Sequence, residues 1–79
     1  MTRRAALRDV TFAASRLLSA QRILDAATQQ QLPQAPLAFM VGRVQERDAA
    51  LRAAQARARE EGAIEREIAI ATLNATRGC

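Results

Sequence analysis

A break in an otherwise helical sequence lies at residues 29–43, which read QQQLPQAPLAFMVGR. Both prolines of the chain, Pro33 and Pro36, fall in this stretch. Pro33 cannot continue a helix and disfavours helical geometry at Leu32, because proline lacks an N–H and its ring crowds the preceding residues. Pro36 suits the first turn of a following helix, where its missing N–H costs nothing. A short corner over residues 32–36 therefore predicts a helical hairpin with two antiparallel helices.

The segment before the corner, from about residue 4 to residue 31, contains neither Pro nor Gly and has helical periodicity. At 100° per residue its large apolar side chains fall on one broad arc that includes Leu7, Val10, Leu17 and Leu24. Beside this arc an alanine recurs every seven residues, at Ala6, Ala13, Ala20 and Ala27. Such a row lets a neighbouring helix approach closely. An arc this wide predicts a helix that contacts two neighbours in a bundle.

The segment after the corner predicts a second helix over about residues 37–61. Its apolar stripe begins at Leu37, Met40, Val41 and Val44, continues through Leu51, and ends in alanines, with Arg47 on the apolar line. Gly62 is an unfavourable residue inside a helix and can end this one.

The tail, over about residues 63–75, is ambiguous in its pattern. Ile64, Ile68 and Ala71 have helical spacing, whereas Ile68, Ile70 and Thr72 alternate as a strand does. Because no second strand is available for pairing, we expect a short third helix after Gly62.

The composition favours helices more than it favours a core. The chain has 79 residues, enough for a single small domain, and Leu, Ile, Val and Phe make up only about 22% of it. Alanine, the best helix former, fills much of the rest but buries little area. We therefore expect an all-α hairpin that completes a helical bundle with another chain, either as a homo-oligomer or as a subunit of a hetero-complex.

The residue types present argue against an enzyme. The chain contains no His, Tyr, Trp or Lys, and its single cysteine, Cys79, is the last residue. The commonest general base and metal ligand are therefore missing, as is the lysine that forms Schiff bases. We predict no catalytic residue, no metal ligand and no cofactor.

A protein–protein interaction subunit, such as an adaptor or small chaperone, is the function that this pattern favours. We predict a partner interface with two parts. The first is the apolar face of the first helix, with Leu7, Val10, Leu17 and Leu24. The second is the tip that follows the corner, where Leu37, Phe39, Met40 and Val41 are more apolar residues than one helix face can bury.

The basic residues support an alternative, a small nucleic-acid-binding or regulatory protein. All 12 basic residues are arginines and the net charge is +4. Arg3, Arg4, Arg8 and Arg22 are predicted polyanion contacts, with Arg16 elsewhere on the same helix. Two features argue against this alternative. No aromatic residues that could stack on bases accompany these arginines, and in the second helix Arg is interleaved with Glu.

The sequence also bears on location and kinship. Abundant Ala and Arg without Lys is typical of a GC-rich genome, so we expect a cytoplasmic bacterial or phage protein. The N-terminal MTRRAALRDVTFAASRLLSAQR also has the composition of a mitochondrial presequence, which is the alternative. The longest apolar run is too short to span a membrane.

The helix–corner–helix order around Pro33, Pro36 and Leu37 resembles hairpin subunits and co-chaperones of bacterial secretion systems. The polar ending NATRGC departs from needle-type subunits, and we assign no family.

Overall fold

The computed structural model describes the backbone of residues 2–77 and the side chains of residues 2–76. This range forms three helices, α1 (Arg3–Gln29), α2 (Gln34–Glu60) and α3 (Glu65–Arg77). The all-α hairpin is thus confirmed, and a third helix follows Gly62. Cys79 lies outside the described residues.

Each helix begins where local chemistry allows it. The Thr2 hydroxyl caps α1 by accepting a 3.1 Å hydrogen bond from the Ala5 N–H. The Glu67 carboxylate reaches back to the Ile64 N–H at 3.1 Å, just before α3. The second helix begins at Gln34, ahead of the predicted residue 37, because Pro36 is tolerated in a first turn whose N–H groups have no intrahelical partner.

The end of α2 follows the chemistry expected of glycine. Gly62 adopts a left-handed φ of 92°, its N–H donates to the Arg59 carbonyl at 3.0 Å, and the Ala63 N–H donates to the Ala58 carbonyl at 2.9 Å. These two bonds form a Schellman motif, which satisfies carbonyl groups that the helix end leaves without partners.

The end of α1 uses the same motif without a glycine. Gln31 has a left-handed φ of 55°, its N–H donates to the Thr28 carbonyl at 3.1 Å, and the Leu32 N–H donates to the Ala27 carbonyl at 3.3 Å. A residue with a side chain is strained in this conformation. The helix therefore ends at Gln29, two residues before the predicted position, because the turn and not the proline terminates it.

The core is small and lies at one end of the hairpin. Among the described residues most buried apolar side chains are alanines, and the larger ones are Val10, Leu51 and Ile68. They belong to the first half of α1, the second half of α2, and α3. Since α3 has 13 residues and α1 has 27, α3 covers only about half the length of the hairpin.

We call the three-helix part the closed end and residues 18–50, where α1 and α2 pack without α3, the open end. Ala27 is the buried apolar residue that lies in the open end. The chain measures 44 × 21 × 16 Å, with a radius of gyration of 14.2 Å. A compact domain of this length has a radius of about 11.6 Å. The molecule is therefore elongated, and its open end is only two helices thick.

Candidate functional site

A groove between α1 and α2 runs along the open end and has a volume of about 450 Å³. A depression of about 190 Å³ continues it towards the closed end, and the two share Arg16 and Arg47. We call them together the arginine–phenylalanine groove. Its large side chains are Phe12, Arg16 and Ile23 from α1, and Phe39, Met40, Arg43, Arg47 and Arg57 from α2.

The groove and α3 lie on different sides of the hairpin. Thr11 contacts α3 through a hydrogen bond, and at 100° per residue it points about 140° away from Arg16. On α2, Gln55 contacts α3 through Thr72 and points about 160° away from Arg57. The helix that completes the closed end therefore leaves the arginine–phenylalanine groove uncovered.

Both phenylalanines of the chain lie in this groove, each beside an arginine. The Arg16 guanidinium lies 5.5 Å from the centre of the Phe12 ring, and that of Arg43 lies 5.9 Å from the Phe39 ring. Such cation–π contacts contribute about 0.5–1 kcal/mol at exposed sites. Phe12 remains 64% exposed and Phe39 68% exposed. Side chains this exposed add little to the fold.

The arginines of the groove have no acidic partner among the residues that the structure describes. Within the described residues, no carboxylate lies within 4.0 Å of the groove arginines, which are Arg16, Arg43, Arg47 and Arg57. One acidic residue, Asp9, lies at the rim of the smaller depression. The larger part of the groove is lined by three arginines and no acid. Positive charge is therefore concentrated there.

Arg47 has an unusual position within this set. It lies on the apolar stripe of α2, three residues after Val44 and four before Leu51, and it is half-buried. A long cationic side chain on a helix–helix seam displaces apolar packing and loses part of its hydration. Like Arg16, Arg47 lines both parts of the groove.

Two ion pairs connect elements of the closed end. Arg59 forms a forked pair with Glu65 across the turn between α2 and α3, with the second bond at 3.1 Å. Because these side chains are hydrogen-bonded, the pKa of the Glu65 carboxyl lies below its ordinary value of 4.5. The Arg3 guanidinium lies 3.9 Å from the Glu67 carboxylate, which links α1 to α3.

The predicted interface on α1 is largely covered within the chain. Val10 is fully buried, and Leu7 and Leu17 are half-buried against the same core. Leu24 is half-buried in the open end. The wide arc thus has its two neighbours, α2 and α3, in the same chain.

The predicted tip residues separate into three positions. Leu37 and Met40 are half-buried, Phe39 lines the groove, and Val41, 41% exposed, does not line it. Phe39 and Val41 point about 160° apart on α2, on opposite flanks of the hairpin. Phe39 is the exposed tip residue that the groove contains.

The predicted polyanion contacts lie outside the groove. Arg4 and Arg8 line a separate shallow depression between α1 and α3, together with Glu67. Arg3 pairs with that same carboxylate, and Arg22 is exposed on α1. The sequence analysis missed Arg43, Arg47 and Arg57 as a group. The available signal was the spacing of these residues. Ile23 follows Arg16 by seven residues on the first helix, and Arg57 follows Arg43 by fourteen on the second, so each pair lies on one helix face.

Three further findings bear on the kind of site. Among the side chains that the structure describes, no group of three His, Cys, Asp or Glu could hold a metal ion. No helix in the described range is long and apolar enough to cross a membrane. Comparisons with protein-family models, curated proteins and solved structures give no match to this chain.

Proposed function

We propose that the protein is a non-enzymatic interaction subunit that docks another protein chain in the arginine–phenylalanine groove. One observation supports this proposal above all: both phenylalanines are about two-thirds exposed in this groove, and each lies beside an arginine with no carboxylate of the described residues within 4.0 Å. Aromatic residues and arginine are the types most enriched at the centres of protein interfaces. Adaptor and small-chaperone roles, or assembly into a larger complex, are functions of this kind.

The exposed area supports the same proposal. The chain exposes 5578 Å², whereas a compact monomer of 8.6 kDa exposes about 4,700 Å². The excess of roughly 900 Å² is close to the area that one partner buries in a standard protein–protein interface.

Photo-crosslinking tests the proposal directly. Phe39→p-benzoylphenylalanine in the full chain, irradiated in an extract of the source cells, should form one adduct with a protein identifiable by mass spectrometry. The same replacement at Leu73, which is exposed on α3, is the control and should not form it. Crosslinking alone does not suffice, so the two purified proteins are then mixed and the mass of the complex is measured by light scattering.

The rebuilt complex gives the decisive comparison. The wild-type chain and a Leu73→Ala variant should bind the partner equally, whereas Phe39→Ala should weaken binding by about tenfold or more, which corresponds to about 1.4 kcal/mol. Equal binding by Phe39→Ala, or an adduct formed as readily from position 73, would show that the groove is not the interface.

One observation favours a second candidate, binding of single-stranded nucleic acid. Exposed aromatic rings in a basic groove are the means by which many such proteins stack bases. The arginines involved would be Arg16 and Arg43, not the predicted Arg3, Arg4 and Arg8. The test is fluorescence anisotropy with a labelled oligonucleotide, for which affinity should fall steeply with salt and should be lost in Phe12→Ala.

A further inference from the structure

The geometry points to a specific occupant of the arginine–phenylalanine groove: an acidic, amphipathic α-helix about three turns long, supplied by a different protein. This inference rests on the function proposed above and narrows its partner to one chemical class. Three observations support this inference: the length of the groove, its charge, and the packing of α3 on the opposite flank of the hairpin.

The length of the groove matches a short helix. The large apolar side chains that α1 contributes to it are Phe12 and Ile23, eleven positions apart, which corresponds to about 16 Å along the helix axis. Ile23 of α1 and Phe39 of α2 line the same part of the groove. A helix of about eleven residues, or three turns, spans this distance and can place apolar side chains at both ends.

The charge of the groove calls for carboxylates between those ends. Arg16, Arg43 and Arg47 lie between the apolar ends, and no carboxylate of the described residues lies within 4.0 Å of them. The half-buried Arg47 is the most informative of the three, since a partner carboxylate would compensate its lost hydration. An acidic residue on each flank of the docked helix would satisfy the arginines of both hairpin helices.

The opposite flank shows this mode of packing within the same chain. There α3 packs mainly on α1, with Ile68 and Ala71 in the core, and it reaches α2 through the Gln55–Thr72 hydrogen bond. Its first turn is acidic, and Glu67 lies 3.9 Å from Arg3 of α1. A helix with an apolar stripe and flanking glutamates therefore already fits one side of this hairpin.

Two other occupants fit the groove less well. A second copy, related by a two-fold axis through the groove, would place the arginines of one chain against those of the other. For nucleic acid, one face of each phenylalanine ring is already covered by a guanidinium. The aliphatic Ile23 and Met40 also favour leucine-like side chains over bases.

A designed peptide tests the inference with the full chain. The probe is a fluorescein-labelled, side-chain-stapled helix of about 14 residues, with leucines at positions i, i+3, i+4 and i+7 and glutamates on both flanks. A matched peptide carries glutamine in place of every glutamate. We expect the glutamate peptide to bind at least tenfold more tightly, a difference of about 1.4 kcal/mol.

Two double variants with equal loss of charge locate the binding. Arg16→Gln with Arg43→Gln should weaken binding of the glutamate peptide about tenfold or more, since both arginines line the groove. Arg22→Gln with Arg66→Gln removes two exposed arginines outside the groove and should leave the affinity within twofold. Circular dichroism confirms that both variants keep the helix content of the wild-type chain.

The inference is overturned if the glutamine peptide binds equally well, if neither peptide binds, or if both double variants weaken binding equally. A labelled oligonucleotide that binds more tightly than the peptide and competes with it would also overturn it. A dimer of the chain alone, lost in Phe39→Ala, would assign the groove to a second copy. If the crosslinked partner needs Phe39 but not Arg16 or Arg43, the interaction function stands and the acidic helix is excluded.

Discussion

The hydroxyl of Thr11 donates a 2.7 Å hydrogen bond to the backbone carbonyl oxygen of Ala71, sixty positions further along the chain. The bond joins α1 to α3 in a partly buried interface that consists largely of alanine. Small side chains bring the two backbones close together, and this closeness allows a threonine side chain to reach the main chain of the neighbouring helix. Attachment of α3 thus depends on a specific polar contact as well as on apolar burial.

Replacing Thr11 should therefore weaken the closed end. Thr11→Val preserves the shape of the side chain but removes the donor, and we expect it to lower the free energy of unfolding by about 1 kcal/mol. Thr28→Val is the matched control, because the Thr28 hydroxyl bonds only within α1, to the Leu24 carbonyl at 2.8 Å, and is exposed. Thermal unfolding by circular dichroism measures both. Equal effects of the two substitutions would contradict the role of the Thr11–Ala71 bond.

Substitutions at the two Schellman turns should change the free energy of unfolding in opposite directions. Gln31→Gly should raise the free energy of unfolding by about 1 kcal/mol, because it relieves a left-handed conformation that a side chain disfavours. Gly62→Ala should lower it by about 1 kcal/mol, because it introduces that strain, although no atom lies within 4 Å of the added methyl group. Urea denaturation measures both. The same sign for both variants would mean that the turns are not the cause.

Leu51 is the residue through which the core is most sensitive to truncation. It is 9% exposed and is the one leucine among the buried residues that the structure describes. Leu51→Ala should cost about 2–3 kcal/mol, a large part of the roughly 4–12 kcal/mol expected for a chain of this length. Leu73→Ala, at a position 63% exposed, should change stability by less than about 0.5 kcal/mol. Similar losses in urea denaturation would place the core elsewhere.

Replacing Arg47 should raise the stability of the chain and weaken its binding of the glutamate peptide. Arg47→Met replaces a half-buried cation on the apolar stripe with a side chain of similar length, so it should raise the free energy of unfolding by about 1 kcal/mol. The same variant should bind the glutamate peptide less tightly, because the carboxylates lose one partner. Denaturation and anisotropy on one preparation test both parts. A variant that is less stable than the wild type would show that Arg47 supports the hairpin itself.

The Arg59–Glu65 pair predicts a dependence of stability on pH. Since the folded-state pKa of Glu65 lies below its ordinary value of 4.5, the pair stabilises the folded protein above that pH. This stabilisation is lost as the pH falls from 4.5 through the lowered pKa. The gap in melting temperature between the wild-type chain and Glu65→Gln should therefore be constant near pH 7 and close in acid. Both side chains are exposed, so we expect a small gap, and one that widens in acid would contradict the assignment.

The hairpin could be predicted from the sequence because its signals are local. Pro33, Pro36 and Gly62 act through their own backbone chemistry, which needs no tertiary context. Pro36 lies in the first turn of α2, as its chemistry predicts, and the helix begins at Gln34, three residues before the predicted start. The end of α1 was placed late because Gln31 carries no sequence signal for a left-handed turn.

The arginine–phenylalanine groove could not be predicted in the same way. The broad apolar arc on α1 indicated two neighbouring helices, but it did not indicate that α3 of the same chain would be one of them. The side on which α3 packs decides which flank of the hairpin stays exposed. Phe12 and Arg43 lie on different helices, so their place in one groove depends on the packing register. The sequence argument against stacking aromatics concerned Arg3, Arg4 and Arg8, and the structure places both rings beside other arginines.

The shortness of α3 has a consequence for how the molecule moves. Backbone amides of the closed end are protected by three helices, whereas those of residues 18–50 depend on a single seam between two helices. Local opening free energies should therefore decrease from the closed end towards the tip, and hydrogen exchange should be fastest around the corner. The larger part of the arginine–phenylalanine groove lies mostly on the half that opens most easily. A docked helix would then slow hydrogen exchange across residues 18–50, because it would give the open end the third packed helix that α3 gives the closed end.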